Sequence, residues 1–189
     1  MSSGPRPLAG DAPLPCTSWR PSMAPSKALS PGDPAPDFSL VHRPGGDPVR
    51  LSHEIRSGPV ILFFFPLAFS SVCTEELCAL AEAWKGWDEA GVRVLGISVD
   101  SPFALARFAQ VCDAAFPLLS DFNREACTAF GVRNDNFYGM EGVANRSVFL
   151  VDGVGIIRYV WISEDASRLP DLEEVRTALA DLKARALQS

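Results

Sequence analysis

Val60-Ile61-Leu62-Phe63-Phe64-Phe65-Pro66-Leu67-Ala68-Phe69-Ser70-Ser71-Val72-Cys73-Thr74-Glu75-Glu76-Leu77-Cys78 is the stretch around which the chain is organised. The run Val60 to Phe65 is apolar throughout, mostly β-branched or aromatic, and too short for a membrane span. It reads as a strand buried on both faces. Pro66 ends it. Ser70 or Ser71 can then cap a helix whose first turn holds Cys73, and Glu75 and Glu76 suit the positive end of its dipole. A sulfur therefore sits where a buried strand hands over to a helix. Unpaired amides of a first turn favour negative charge, and the thiolate is the reactive form of cysteine, so Cys73 is a candidate nucleophile. The plainer reading is a small buried hydrophobe.

The surrounding composition narrows the function classes. At 189 residues, 47% hydrophobic and 21% charged, the chain is long enough for one globular domain with a sizeable core. Its formal net charge of −6, with no run of Lys or Arg, argues against a phosphate-binding face, so nucleic acid is not an expected partner. No uninterrupted apolar run reaches membrane-spanning length, and the start lacks the apolar core of a signal peptide; no membrane association and a cytoplasmic location are expected. Five cysteines, at positions 16, 73, 78, 112 and 127, form an odd set without repeating spacing, which fits redox chemistry better than disulfide stapling. A Cys-x-x-Cys pair is absent and His42 and His53 stand far from any such pair, so neither a metal nor a cofactor is expected.

Outward from the central stretch, strand and helix alternate as parallel βαβ units require. Residues 1–36 hold Pro5, Pro7, Pro13, Pro15, Pro21, Pro25, Pro31, Pro34 and Pro36 among small residues. Such a composition buries too little to fold alone, and residues 1–30 are read as a tail ahead of a domain over 31–189. Asp37 to Val41 and Val49 to Ser52, joined through Gly45-Gly46-Asp47, read as a short hairpin at the sheet edge. The helix entered at Ser71 extends to Glu89, with Leu77, Leu80, Ala81, Trp84 and Trp87 at helical spacing, a pattern for core or dimer surface. Val92 to Val99 is a second central strand. Ser101-Pro102 opens a helix over 102–112, Phe116 to Ser120 forms a short strand, and Arg124 to Phe130 a short helix. Asn134 to Gly142 is a polar loop, Ser147–Val151 and Ile156–Trp161 form a hairpin, and Leu172 to Leu187 is a final helix.

The spacing Pro66-x-x-x-Ser70-x-x-Cys73 resembles the peroxidatic Pro-x-x-x-(Thr/Ser)-x-x-Cys signature of the peroxiredoxins. Pro66 to Ser70, Phe116 to Phe122 and Ala144-Asn145-Arg146 resemble the alkyl hydroperoxide reductase E type, with features of the bacterioferritin-comigratory-protein type, over about Asp33 to Leu182. Met23 resembles the usual family start, which would set residues 1–22, and with them Cys16, outside the translated protein. The resemblance implies an α/β, thioredoxin-like fold with a mixed central sheet flanked by helices. It implies a peroxidase in which Cys73 becomes a sulfenic acid on hydrogen peroxide or an organic hydroperoxide. Pro66 would shield the sulfur, Ser70 would hydrogen-bond thiolate and peroxide, Arg146 would complete the pocket, and Glu76 would orient Arg146. Read alone, Arg146 is a surface ion pair and Glu76 a solvated carboxylate.

The same resemblance leaves the second half of the cycle open between Cys78, Cys112 and an external thiol. A Cys73–Cys78 bond requires the first helical turns to unwind, because disulfides need Cα atoms within about 7 Å. Cys78 is the first choice and Cys127 is read as packing. The reductant implied is a thioredoxin, a glutaredoxin-like protein or a low-molecular-weight thiol, and the family allows a homodimer. A non-catalytic thioredoxin-like binding or holdase module is the alternative; it has no need of Pro66, Ser70, Cys73 and Arg146 together. A disulfide reductase is disfavoured by the missing Cys-x-x-Cys.

Overall fold

In the computed structural model, residues 28–89 and 91–186 are described. The expected tail over residues 1–30 thus falls almost wholly outside them, as do Cys16, Met23 and the end of the last helix at Leu187. The first described segment is tied down by backbone bonds: Gly32 and Ala35 donate to Ile157 and Gly155, at 2.8 and 2.9 Å, and Ile157 returns one to Asp33 at 3.0 Å.

The elements follow in chain order. A two-stranded hairpin, β1 (Ser39–Leu40) and β2 (Val49–Arg50), precedes a short helix α1 (Leu51–Glu54) and the strand β3 (Val60–Phe64). Next come α2 (Ser71–Glu89), β4 (Arg93–Ser98), α3 (Pro102–Val111), β5 (Leu118–Ser120) and α4 (Glu125–Ala129). A second small hairpin, β6 (Arg133–Asn134) and β7 (Val143–Ala144), leads to β8 (Arg146–Val151), β9 (Ile157–Ser163) and α5 (Leu172–Ala186). The main sheet has the order β5-β4-β3-β8-β9, with β3, β4 and β5 parallel and β8 and β9 antiparallel to their neighbours. This is the mixed sheet of the expected thioredoxin-like fold.

Side chains alternate across β3, and the two faces build two cores. Ile61, Phe63 and Phe65 pack with Leu77, Leu80, Leu105, Phe108 and Val175 from α2, α3 and α5. Val60, Leu62 and Phe64 pack with Phe38, Leu40, Cys127 and Phe130 on the other side. Both faces are covered, so the whole strand is apolar; burial of each such side chain contributes about 1.5–3 kcal/mol. Trp87 is buried and stacks on Phe63 with ring centroids 6.0 Å apart, which makes it core.

Several boundaries differ from those read in the sequence. Leu51 and Ser52 were expected in a strand but open α1, because Asp37 accepts both the Ser52 amide (2.9 Å) and its hydroxyl (3.0 Å) and so supplies a first-turn donor with a partner. The hairpin does reach the sheet edge, through a single bridge between Val41 and Ser120. Phe116 and Pro117 lie before β5. Arg124 precedes α4 in the left-handed conformation (φ 63°), and the buried Asp121 carboxylate caps that helix by accepting the Ala126 and Cys127 amides at 2.9 and 2.8 Å. The loop Asn134 to Gly142 is pinned by its own hairpin.

Candidate active site

The site is assembled at the end of β3 by one capping residue, one carboxylate and one strand register. Ser70 precedes α2 and its hydroxyl accepts the Cys73 amide at 3.4 Å while donating to the Leu67 carbonyl at 3.3 Å. Ser70 thus meets Cys73 through the backbone, as an N-cap. The strand-to-helix connection is held from β4: Asp100 accepts the Ala68 amide at 2.7 Å and the Ser98 hydroxyl at 2.8 Å. Phe69 takes a left-handed turn (φ 65°), its ring lying 5.0 Å from that of Phe108. Pro66, in the same connection, is buried.

Cys73 faces the sheet on the buried side of α2, with Glu76, Leu77 and Leu80, and is only 1% exposed. Phe69, Ser70 and Ser71 beside it are exposed, so the sulfur lies one layer under the surface. Arg146, the first residue of β8, reaches it. Phe64 of β3 pairs with Ser147, which places Arg146 level with the end of β3 and on the α2 side of the sheet, in alternation with Val148 and Leu150. Its Nη2 donates to Cys73 Sγ at 3.4 Å and to the Ala166 carbonyl at 3.1 Å, and its Nη1 donates to Glu76 Oε2.

The electrostatics follow from burial. Arg146 and Glu76 are buried together, at 2% and 6% exposure. Desolvation raises Glu76 from 4.5 to about 7, against the opposing effect of the Arg146 charge and hydrogen bond. Arg146 Nε and Glu76 Oε1 are buried without hydrogen-bond partners, leaving one donor and one acceptor beside the sulfur. The guanidinium of Arg146, fixed beside the Cys73 sulfur, can stabilise charge on an oxygen leaving that sulfur.

The structure brings Cys73, Ser70, Glu76 and Arg146 together and buries Pro66 in the connection that leads to them. The other cysteines stand apart from this cluster. Cys78 is half-buried further along α2, and the thiol of Cys112, which ends α3, lies 4.0 Å from the carbonyl of Thr74, one helical turn before Cys78. Burial and then the neighbouring Cys78 push the Cys112 thiol up to about 12. Cys127 is buried in the opposite core, where desolvation and then the Asp121 carboxylate push it up to about 12 as well. Sequence reading missed Asp100 and the Ala166 carbonyl. Asp100-Ser101-Pro102 signalled a helix start, which hid its grip on Ala68, and a backbone carbonyl has no residue-type signal.

Comparison with known proteins gives concordant matches. Residues 31–160 match the family described as AhpC/TSA. The chain is 39% identical over 142 residues to "Peroxiredoxin Bcp" of Escherichia coli (strain K12), covering 74% of this chain and 87% of that protein. It is 39% identical over 138 residues to "Putative peroxiredoxin Rv2521" of Mycobacterium tuberculosis, covering 71% and 86%. Among solved structures, "Peroxidoxin BcpB" from Mycobacterium tuberculosis superposes with a TM-score of 0.69 at 33% identity, over 82% of this chain and 97% of that one. Among the described residues, no helix is long and apolar enough to cross a membrane.

Proposed function

The chain belongs to the AhpC/TSA family and is a peroxiredoxin, a thiol-dependent peroxidase, and from that premise we propose that Cys73 is its peroxidatic residue, reducing hydrogen peroxide and organic hydroperoxides. The single observation that carries this assignment is the Arg146 guanidinium, held by Glu76 and Ala166 and donating to Cys73 Sγ at 3.4 Å. The Cys73 thiolate attacks one peroxide oxygen, the O–O bond breaks, and the other oxygen leaves as hydroxide or alkoxide and takes a proton. The products are a sulfenic acid on Cys73 and water or an alcohol. Arg146 stabilises first the thiolate and then the departing oxygen, while Ser70 holds the first turn of α2 in position. A thiol then condenses with the sulfenic acid and releases water; Cys78, Cys112 or an external thiol supplies it. A thioredoxin-like protein or small thiol returns the enzyme to its reduced form.

The test is a mass spectrum of the full chain after one equivalent of peroxide in the presence of a sulfenic-acid trap. The adduct is expected on Cys73. An adduct confined to another cysteine, or peroxide turnover by Cys73→Ser at the wild-type rate, overturns the assignment.

A further inference from the structure

Two cysteines that take no part in the Arg146 cluster, Cys78 of α2 and Cys112 at the end of α3, stand where those helices meet on one core face. Cys112 Sγ sits 4.0 Å from the carbonyl of Thr74, the residue one helical turn before Cys78, and Cys78 is its neighbouring thiol. Both belong to the same tightly packed core face as Cys73. Cys78 and Cys112 stand on two elements that pack on the same core face, so a bond between them does not require α2 to unwind, whereas Cys73 and Cys78, five positions apart on one helix, can be joined only by unwinding it.

We propose that Cys78 and Cys112 form a disulfide relay: the bond first made between Cys73 and Cys78 passes to Cys112, frees Cys73 and lets α2 re-form with the oxidation stored between α2 and α3. This rests on the peroxidase reading above. In the first step the Cys73 sulfenic acid condenses with the Cys78 thiol and water leaves. In the second, the Cys112 sulfur attacks the Cys78 sulfur, the Cys73–Cys78 bond breaks, a proton passes from Cys112 to solvent, and Cys73 departs as a thiolate beside Arg146. No oxidant beyond the original peroxide is consumed, and two electrons from an external thiol later reduce the Cys78–Cys112 bond.

The fold supplies both the trigger and the direction. What keeps Cys112 a protonated, inert thiol is its burial against α2, and that cover is removed when the first bond forces α2 open. The first disulfide thus exposes the nucleophile that attacks it. Exchange then runs towards the bond compatible with a complete helix, and towards a leaving sulfur stabilised by a fixed cation.

The experiment follows the full chain after one equivalent of peroxide without reductant, quenched at intervals by alkylation and mapped by peptide mass spectrometry. A transient cross-link between positions 73 and 78, replaced by one between 78 and 112 with Cys73 again alkylatable, is expected. Wild type should also consume about two equivalents of peroxide without reductant, and Cys112→Ser about one. A final cross-link that still contains Cys73 overturns the relay and leaves the peroxidase reading standing. Failure of Cys73 to oxidise at all overturns both. Should Cys112→Ser not fold, the peptide map of the wild-type chain decides alone.

Discussion

Phe64 of β3 pairs with Ser147 of β8, and this one register sets Arg146 over the first turn of α2, its Nη2 3.4 Å from Cys73 Sγ. A slip of one residue would turn Arg146 to the opposite face of the sheet, away from the sulfur. The planar guanidinium makes three directed contacts at once, to Cys73, Glu76 and Ala166. Arg146→Lys keeps the charge but cannot keep that fork, so Cys73 oxidation should slow by about tenfold or more, measured by stopped flow. An unchanged rate would make Arg146 a structural residue.

Cysteine identity gives a second contrast. Cys73→Ser should abolish peroxide consumption, because among the described cysteines Cys73 is the one whose sulfur accepts from a guanidinium in the first turn of a helix. Cys127→Ser should retain nearly the wild-type rate, since that thiol is held protonated in the opposite core. Loss of turnover in a folded Cys127→Ser variant would show a role for Cys127 that its position does not explain.

Asp100 gives a prediction about positioning. Its carboxylate is the anchor for the Ala68 amide and the Ser98 hydroxyl, so Asp100→Ala leaves two donors short of a partner. A loss of about 1–3 kcal/mol in stability is expected from denaturant unfolding, together with slower Cys73 oxidation as the Phe69–Ser70 turn loosens. Asp100→Asn, which keeps one acceptor oxygen, should recover part of both. Equal defects in Asn and Ala would argue against the hydrogen bonds as the cause.

How much of this was legible in the sequence depends on the range of each interaction. The helix Ser71–Glu89 was read with its observed bounds, because a serine cap and a regular apolar stripe are local signals. Cys73, Arg146 and the strands that hold them stood in recognisable motifs. Asp100 did not, since its contact with Ala68 runs between two strand ends distant in sequence. The nearness of Cys112 to the turn of α2 that carries Cys78 was equally hidden: it depends on α2 and α3 packing on the same face of the sheet, which sequence spacing does not encode. Leu51 and Ser52 alternated as a strand would, and the Asp37 contact overrode that pattern.

Glu76 gives the pH dependence. The unfolded chain releases its proton near 4.5, and the folded protein, through burial, near about 7. Between these values the folded state binds the more protons, so stability falls as pH rises; the contribution is whole below about 4.5 and gone above about 7. The wild-type denaturant midpoint should therefore decline across that window. Glu76→Gln should flatten this slope, even though loss of the Arg146 partner lowers its absolute stability. Parallel slopes in the two proteins would exclude Glu76 as the titrating group.

Opening of α2 is the remaining consequence. In the proposed relay Cys78 is the first partner of the Cys73 sulfenic acid, because unwinding one or two helical turns is a smaller rearrangement than displacing the whole of α3. In Cys112→Ser, oxidised by one equivalent of peroxide, the first disulfide has no onward path, and amide-exchange protection between about residues 71 and 79 should be lost and stay lost. The wild-type chain should lose the same protection only briefly and regain it as the bond reaches Cys112, with Val94, Leu95 and their β3 partners protected throughout. A cross-link between 73 and 78 with undiminished protection over those turns would be incompatible with disulfide geometry in an intact helix, and would mean that the first turns of α2 are already open in the reduced protein.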